Sequence, residues 1–219
     1  MKRVVITGAT RGIGKATAEQ FLAAGWEVVG TLTNNTGWKR QNLKWVQLDL
    51  SDNTSIAQAA EKISAYKPIN ILVNNAGIYA KEEDHNGATV EISTLRKILE
   101  VNLIGTIDLT ERLIPALAEG CHIISLGSGA GALTTISSDD VPAYRISKAA
   151  LGMYTRTLAL RLQGKSITVS IIDPGWVKTD MGGAEAPRSP EEPAKDIFEL
   201  AISKVPTGKF WKQGKERSW

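Results

Sequence analysis

The sequence has little of several features that mark specialised classes of protein. It contains one cysteine and two histidines among 219 residues, so it cannot form an internal disulfide, and we expect no metal site. Its 26 basic and 23 acidic side chains nearly balance and are spread along the chain, which gives no indication of nucleic acid binding. Its apolar runs are too short for a signal peptide or a membrane span. We therefore expect a cytoplasmic protein that contacts neither nucleic acid nor membrane.

What the sequence does contain is a regular alternation of short apolar runs with stretches of helical spacing. The runs are rich in Val and Ile, as in strands buried on both faces, and they occupy Val4–Thr7, Glu27–Thr31, Trp45–Leu50, Ile69–Val73, His122–Leu126 and Ile167–Ile172. Helices are predicted at Gly14–Ala24, Thr54–Tyr66, Leu95–Leu117, Ala143–Leu162 and Glu191–Lys204, and a last strand near Lys209–Lys212. This order predicts a single α/β domain over residues 1–219. We expect a Rossmann-type, doubly wound parallel sheet of about seven strands with helices on both faces, which binds ligands at the carboxyl ends of its strands.

A glycine-rich turn follows the first predicted strand and opens the first helix. It reads Thr7-Gly8-Ala9-Thr10-Arg11-Gly12-Ile13-Gly14. Glycines let the backbone turn sharply and approach a pyrophosphate closely, and a helix N-terminus supplies amides and a favourable dipole. The spacing Gly-x-x-x-Gly-x-Gly is wider than the usual dinucleotide fingerprint. Its position between a strand and a helix favours cofactor binding over a plain tight connection.

The residues after the second strand bear on which dinucleotide fits. The stretch Thr31-Leu32-Thr33-Asn34-Asn35 contains no acid, which would accept from a ribose 2′-hydroxyl and repel a 2′-phosphate. Arg11 either pairs with such a phosphate or is a solvated surface charge. We expect NADP(H) to be preferred, with NAD(H) possible and Thr33 as a cofactor contact. Asp49 and Leu50, at the end of the third strand, border the adenine, or else Asp49 caps the next helix.

Tyr144 and Lys148 are the strongest candidates for chemistry. They lie four residues apart, so both project from one face of a predicted helix. A phenol with a pKa near ~10 is a poor base at neutral pH, and a neighbouring cation favours the phenolate. We interpret Tyr144 as the acid/base and Lys148 as the cation that lowers its pKa.

Six motifs, in order and over nearly the whole length, resemble the short-chain dehydrogenase/reductase family. They are the glycine turn at 7–14, Asn74-Asn75-Ala76-Gly77, Asn102, serines after the fifth strand, Tyr144-x-x-x-Lys148 and Pro174-Gly175. The resemblance implies that Ser128 holds a substrate carbonyl oxygen, Tyr144 protonates it and Lys148 bonds the nicotinamide ribose. It also implies that Asn102 anchors a water in the proton relay. Further cofactor contacts implied by the resemblance are Asn75, Ala76, Gly77, Pro174, Gly175, Val177 and Thr179.

The chain departs from the family pattern in two places. Ser128 lies 16 residues before Tyr144, more than is usual, and Ser125 is a neighbouring candidate for the catalytic serine. Alignment of the turn favours Ser128, because Ser125 is expected to lie within a strand. Little chain separates Pro174 from the next helix, so we expect a rather open active site, in which Trp176 either walls the substrate pocket or simply packs.

The segments Trp176–Gly183, Ser189–Glu192 and Thr207–Phe210 are similar to those of the C-factor/sniffer-like carbonyl reductase subgroup. That likeness implies an NADPH-dependent oxidoreductase that reduces an aldehyde, ketone or quinone to an alcohol. The alternatives are a catalytically silent NADP(H)-binding regulatory protein and a sugar epimerase or dehydratase; for the last, the chain lacks C-terminal length. The family resemblance also implies a homodimer or homotetramer, through the long helices at 95–117 and 143–162.

Overall fold

The protein is built around one eight-stranded sheet. The computed structural model describes residues 1–33, 38–80, 89–136 and 138–219. The strands are β1 Arg3–Ile6, β2 Glu27–Leu32, β3 Leu43–Gln47, β4 Ile69–Asn74, β5 Leu117–Leu126, β6 Thr168–Ile172, β7 Lys209–Lys212 and β8 Lys215–Glu216. The α-helices are α1 Gly12–Ala23, α2 Asn53–Ser64, α3 Ile92–Leu99, α4 Thr106–Leu113, α5 Pro142–Leu162 and α6 Glu191–Ile202. A π-helical segment, Glu100–Gly105, joins α3 to α4, and short 3-10 turns occupy Ile114–Ala116, Gly129–Gly131 and Gln163–Lys165.

The strand order creates a crevice at the carboxyl edge of the sheet. The order is β3-β2-β1-β4-β5-β6-β7-β8; the first seven strands are parallel and β8 returns antiparallel to β7. The chain winds outward from β1 to β3 and then crosses back to β4, so β1 and β4 flank the switch point. Ligands of open α/β sheets bind at such a point.

Apolar side chains alternate between two cores, one on each face of the sheet. In β1, Val4 and Ile6 pack with α1 and α6, for example against Phe21, whereas Val5 packs with α2, α4 and α5 around Leu109. All five of these side chains are fully buried. This two-sided burial is why the strands read as continuous apolar runs, and it fixes the strand ends that carry the site.

The expected doubly wound α/β fold is confirmed, with local differences. The eighth strand was not predicted, because two residues give no period. The predicted helix at 95–117 begins at Ile92, passes through the π-helical segment and ends before Leu117, which already belongs to β5. Leu117 pairs with Ile69, and the register shifts between Ile69 and Ile71, so the early part of β5 lacks the regular pattern of a buried strand. In the described part of the chain, no helix is long and apolar enough to cross a membrane.

Candidate active site

The glycine turn between β1 and α1 is drawn tightly against the end of β4. A Cβ atom at Gly14 would lie 2.2 Å from the carbonyl oxygen of Gly8 and 2.5 Å from the Asn75 amide nitrogen, so only glycine fits. Asn75 Nδ2 donates to the carbonyls of Thr7 (2.8 Å) and Gly8 (3.1 Å). The buried Thr7 hydroxyl accepts from the backbone amides of Asn75 (3.0 Å) and Ala76 (2.9 Å). These bonds hold the turn with the N-terminus of α1 open to the crevice.

A cavity of about 790 Å³ occupies the crevice at the switch point. Most of the residues predicted to contact a dinucleotide line it: Gly8, Thr10, Arg11, Gly12, Ile13, Gly14, Thr33, Asp49, Leu50, Asn75, Ala76, Gly77, Tyr144, Lys148, Pro174 and Thr179. Gly175 and Val177 do not line it and belong to a neighbouring cavity. Asn34 and Asn35 lie outside the described residues. The cavity is also lined by residues that were not predicted as contacts, among them Thr31, Lys97, Glu100 and Asp180.

Two charged residues of this cavity have local partners. The guanidinium of Arg11 forms an ion pair with Asp180 from the loop after β6, and both side chains are largely exposed. Asp49 Oδ1 accepts from the amide (2.9 Å) and hydroxyl (2.7 Å) of Ser51, bonds that lower the pKa of the Asp49 carboxyl. The cap of α2 is Asp52, which accepts from the amide of Thr54 at 2.9 Å. The interpretation of Asp49 as the helix cap is therefore wrong.

Tyr144, Lys148 and Ser128 meet where β5 ends beside α5. The Ser128 hydroxyl is hydrogen-bonded to the Tyr144 phenol. The ammonium of Lys148 lies 5.5 Å from the Tyr144 ring centroid and donates to the carbonyl of Leu126 at 2.8 Å. The ring of Tyr79 contacts that of Tyr144 edge to face, with centroids 5.0 Å apart. Three of the four predicted catalytic side chains are thus neighbours.

The pKa values in this group differ from the expectation that Lys148 lowers that of Tyr144. Burial is the main cause that raises the pKa of Tyr144 to about 12. The hydrogen bond from Ser128 lowers this pKa, and the nearby Asp173 carboxylate raises it. Burial also lowers the pKa of Lys148 to about 8. Desolvation is the largest cause of both shifts, because it disfavours the charged form of each group. A phenol with a raised pKa remains protonated at neutral pH and is available as a proton donor.

Asn102 lies in the π-helical segment and its side chain is committed to structure. Its Oδ1 accepts from the amide of Ile78 (2.7 Å), and its Nδ2 donates to the carbonyl of Ile78 (2.9 Å) and the hydroxyl of Ser147 (3.2 Å). The side chain therefore fixes the stretch after β4 against α5. The role of Asn102 in anchoring a water stays a prediction.

Ser125, the alternative catalytic serine, is buried within β5 and lies 3.5 Å from the Nδ2 atom of Asn74. It does not line either cavity described here, whereas Ser128 lines the second one. Ser128 is thus the serine beside Tyr144.

The second cavity, of about 490 Å³, adjoins the first at Tyr144. Ser128, Tyr79 and Trp176 line it. Trp176 is 57% exposed and its indole nitrogen donates to the carbonyl of Gly182 at 2.7 Å, so it walls this cavity and is not packed in a core. Residues 173–190, all described, form no helix over the mouth, in line with the expected open site.

Most of the chain matches one protein family. The family model for short chain dehydrogenases matches residues 2–189. The chain belongs to the short-chain dehydrogenase/reductase family. It is accordingly an oxidoreductase of that family, and the resemblance found from the six motifs is confirmed.

Members of the short-chain dehydrogenase/reductase family resemble the chain in sequence and in structure. The Escherichia coli 3-oxoacyl-acyl-carrier-protein reductase FabG is 34% identical over 189 residues, which covers 82% of this chain and 75% of FabG. A short-chain dehydrogenase/reductase from Burkholderia multivorans, solved with bound NADP, superposes with a TM-score of 0.91 at 26% identity, covering 100% of this chain and 99% of that one. The carbonyl reductase Sniffer of Drosophila melanogaster gives a TM-score of 0.91 at 26% identity, covering 100% of both chains.

The remaining histidine and cysteine side chains were weighed as metal ligands or nucleophiles. Over residues 1–33, 38–80, 89–136 and 138–219, no three His, Cys, Asp or Glu side chains group as a metal site would require. His85 lies outside the described residues. Cys121 is fully buried, and burial raises the pKa of its thiol to about 12, so it is unreactive at neutral pH.

Proposed function

We propose that this short-chain dehydrogenase/reductase uses NADPH to reduce a carbonyl group, in an aldehyde, ketone or quinone, to an alcohol. The observation that carries the proposal is the hydrogen-bonded pair of Ser128 and Tyr144, which lies where the two cavities meet. One cavity has the size and lining of a dinucleotide site and the other is a small pocket beside it. A proton donor between them suits a carbonyl oxygen.

The residues present fit NADP(H). Gly12, Ile13 and Gly14 at the N-terminus of α1 line the larger cavity, where backbone amides can bind a pyrophosphate. Thr33, directly after β2, is not an acid that would repel a 2′-phosphate. Arg11 offers a guanidinium for that phosphate. The Burkholderia multivorans relative with bound NADP supports the same preference, and NAD(H) is the second cofactor. When bound, NADPH supplies the hydride.

The chain's own groups would carry the rest of the reaction. The Ser128 hydroxyl holds the carbonyl oxygen, and Tyr144 donates a proton to that oxygen as negative charge develops on it. Lys148, whose ammonium lies close to Gly77 and the Tyr144 ring, would bond the nicotinamide ribose and stabilise the phenolate left behind. Asn102 positions the stretch around Ile78.

The first experiment follows NADPH oxidation by purified protein against a panel of aldehydes, ketones and quinones. We expect Tyr144→Phe to abolish turnover and to retain NADPH binding, and Ser128→Ala to reduce turnover by about 100-fold or more. Tyr66→Phe, which removes a phenol oxygen far from the site, is the matched control and should be unaffected. Turnover in Tyr144→Phe would refute the proposal. Tight NADPH binding without turnover of any carbonyl would favour the alternative, an NADP(H)-binding regulatory protein.

We also propose that the protein forms a homodimer or homotetramer through α5. Three exposed apolar side chains, Ile146, Met153 and Leu160, recur every seven residues and therefore lie on one face of that helix. Ile104, in the π-helical segment that packs on α5, is also exposed. We expect Met153→Glu to convert the oligomer to a monomer in sedimentation experiments; a wild-type monomer at all concentrations would contradict the proposal. A cytoplasmic location remains a prediction.

A further inference from the structure

A buried carboxylate with two cationic partners lies in the wall of the second cavity. Asp173 follows β6 directly, and its side chain is 4% exposed. Its Oδ1 accepts from the amide of Gly175 at 2.9 Å. Its Oδ2 is paired with both Arg217 Nη1 and Lys212 Nζ, the latter at 3.2 Å. Two positive charges therefore face one negative charge.

The two cations differ in what else they contact. The Arg217 side chain is 18% exposed, donates to the hydroxyl of Thr135 at 3.2 Å and lies over the ring of Phe210 at 4.8 Å. It holds Asp173 from behind the cavity wall. Lys212, the last residue of β7, lines the cavity itself and exposes 44% of its side chain. Arg217 and Gly175 can therefore keep Asp173 paired without Lys212.

The other charges of this cavity do not offset the surplus. Arg145 and Asp140 also line it, and they form an ion pair with each other. That pair is neutral overall. Asp173, Lys212 and Arg217 together therefore leave one excess positive charge at the cavity wall. An ammonium has three donors, and the pairing with Asp173 uses one of them. The remaining donors of Lys212 can bond a second anion.

We propose that Lys212 binds an anionic group of the substrate, so that the enzyme prefers carbonyl compounds that carry a carboxylate or a similar anion. This inference rests on the proposed carbonyl reductase function, since it names the substrate class of the same pocket. The carbonyl oxygen lies at Ser128 and Tyr144, and the anion lies at Lys212 on the wall of the same 490 Å³ cavity. The open mouth beside Trp176 admits such a polar, hydrated substrate.

A binding experiment tests the subsite without any need for turnover. Benzoate and benzamide have nearly the same shape and differ in charge, and each is titrated calorimetrically into the protein in the presence of NADP⁺. We expect wild type to bind benzoate about tenfold more tightly than benzamide, as a charge-assisted hydrogen bond implies. Lys212→Met should reduce that ratio to about twofold or less, and Lys212→Arg should retain it. The matched control is Lys209→Met, on the same strand but paired with Glu216 outside the cavity.

The corresponding kinetic experiment compares 4-carboxybenzaldehyde with methyl 4-formylbenzoate. Lys212→Met should lower kcat/KM about tenfold for the carboxylate and leave the ester nearly unchanged. Equal binding of benzoate and benzamide by wild type, or a preference that survives Lys212→Met, would overturn the inference. If neither aldehyde is reduced while the Lys212-dependent preference for benzoate persists, the subsite stands and the proposed reductase activity toward these aldehydes fails.

Discussion

At the scale of single residues, the ion pair between Arg11 and Asp180 sets two groups in competition for one guanidinium. The carboxylate of Asp180, in the loop after β6, is paired with the Arg11 guanidinium. A 2′-phosphate of the cofactor would bind the same guanidinium. Exposed ion pairs contribute only about 0.2–1 kcal/mol, whereas a phosphate offers several acceptor oxygens and a larger charge. Arg11 can therefore exchange Asp180 for a phosphate at little cost.

Replacement of Arg11 should reduce the discrimination between the two dinucleotides. We expect Arg11→Ala to lower the ratio of kcat/KM for NADPH over NADH by about tenfold or more, because a charge-assisted bond to the phosphate is lost. Arg11→Lys should keep part of the preference. Asp180→Asn should tighten NADPH binding by about two- to threefold, measured by fluorescence titration. An unchanged cofactor ratio in Arg11→Ala would remove Arg11 from cofactor recognition.

Thr7 should control both stability and cofactor binding, although it has no part in the chemistry. Its buried hydroxyl is the shared acceptor for the backbone amides of Asn75 and Ala76. Thr7→Val keeps the shape and removes that acceptor, so we expect a loss of about 1–3 kcal/mol in the free energy of unfolding and weaker NADPH binding. Thr7→Ser retains the hydroxyl and is the matched control. Urea denaturation checks the prediction, which fails if the two variants are equally stable.

The sequence could identify the residues of the candidate site better than their energetics. Residue spacing placed Tyr144 and Lys148 on one helix face, and motif order brought Ser128 beside them. The direction of the Tyr144 pKa shift could not be predicted, because it depends on how completely α5, β5 and Tyr79 exclude water from the phenol. Asp173 did give a signal, an acid directly after a buried apolar strand. Its partners lie far along the chain, Lys212 at the end of β7 and Arg217 just after β8, so the sequence could not pair them with it.

At the scale of elements, the π-helical segment between α3 and α4 carries Asn102 into the site. The segment is pressed against the loop after β3, where Gly105 meets the carbonyl of Leu50. Hydrophobic periodicity predicted the helix on either side of it. The π-helical turn itself could not be predicted, because it arises from this close approach and from the bonds between Asn102 and Ile78.

Gly105→Ala should disrupt this element. A Cβ atom there would lie 2.0 Å from the Leu50 carbonyl oxygen, so the segment must move. We expect a loss of about 1–3 kcal/mol in the free energy of unfolding, and a fall in turnover because Asn102 moves with the segment. Gly164→Ala, where a Cβ atom would meet nothing within 4 Å, is the matched control. Equal stability of the two variants in urea would show that the segment accommodates a side chain.

At the scale of the whole molecule, a buried histidine with a lowered pKa links the sheet to one of its helix layers. His122 in β5 is buried, with its Nε2 atom 2.8 Å from the Ser170 hydroxyl, and its ring also contacts backbone groups of Leu200 and Ala201 in α6. The sequence indicated that His122 begins an apolar stretch. Its partners could not be predicted, because β6 and α6 meet it only through the tertiary fold.

Acid should therefore destabilise the whole fold through His122. Burial lowers its pKa from 6.5 to about 4, so between these values the unfolded chain binds a proton that the native protein does not. The unfolded state then holds more protons, and stability falls as the pH decreases through this window, by about 3 kcal/mol in total. Stability from this group is fully present above pH ~6.5.

The variant His122→Gln tests this expectation, because it keeps a neutral hydrogen-bonding side chain that does not titrate. It should be less stable than wild type at pH 7, and its free energy of unfolding should fall less steeply toward pH 4. Urea denaturation at a series of pH values measures how steeply the free energy of unfolding falls with pH in wild type and in the variant. The decline that persists in the variant comes from other acidic and basic groups. Parallel slopes would mean that other groups, and not His122, govern acid unfolding.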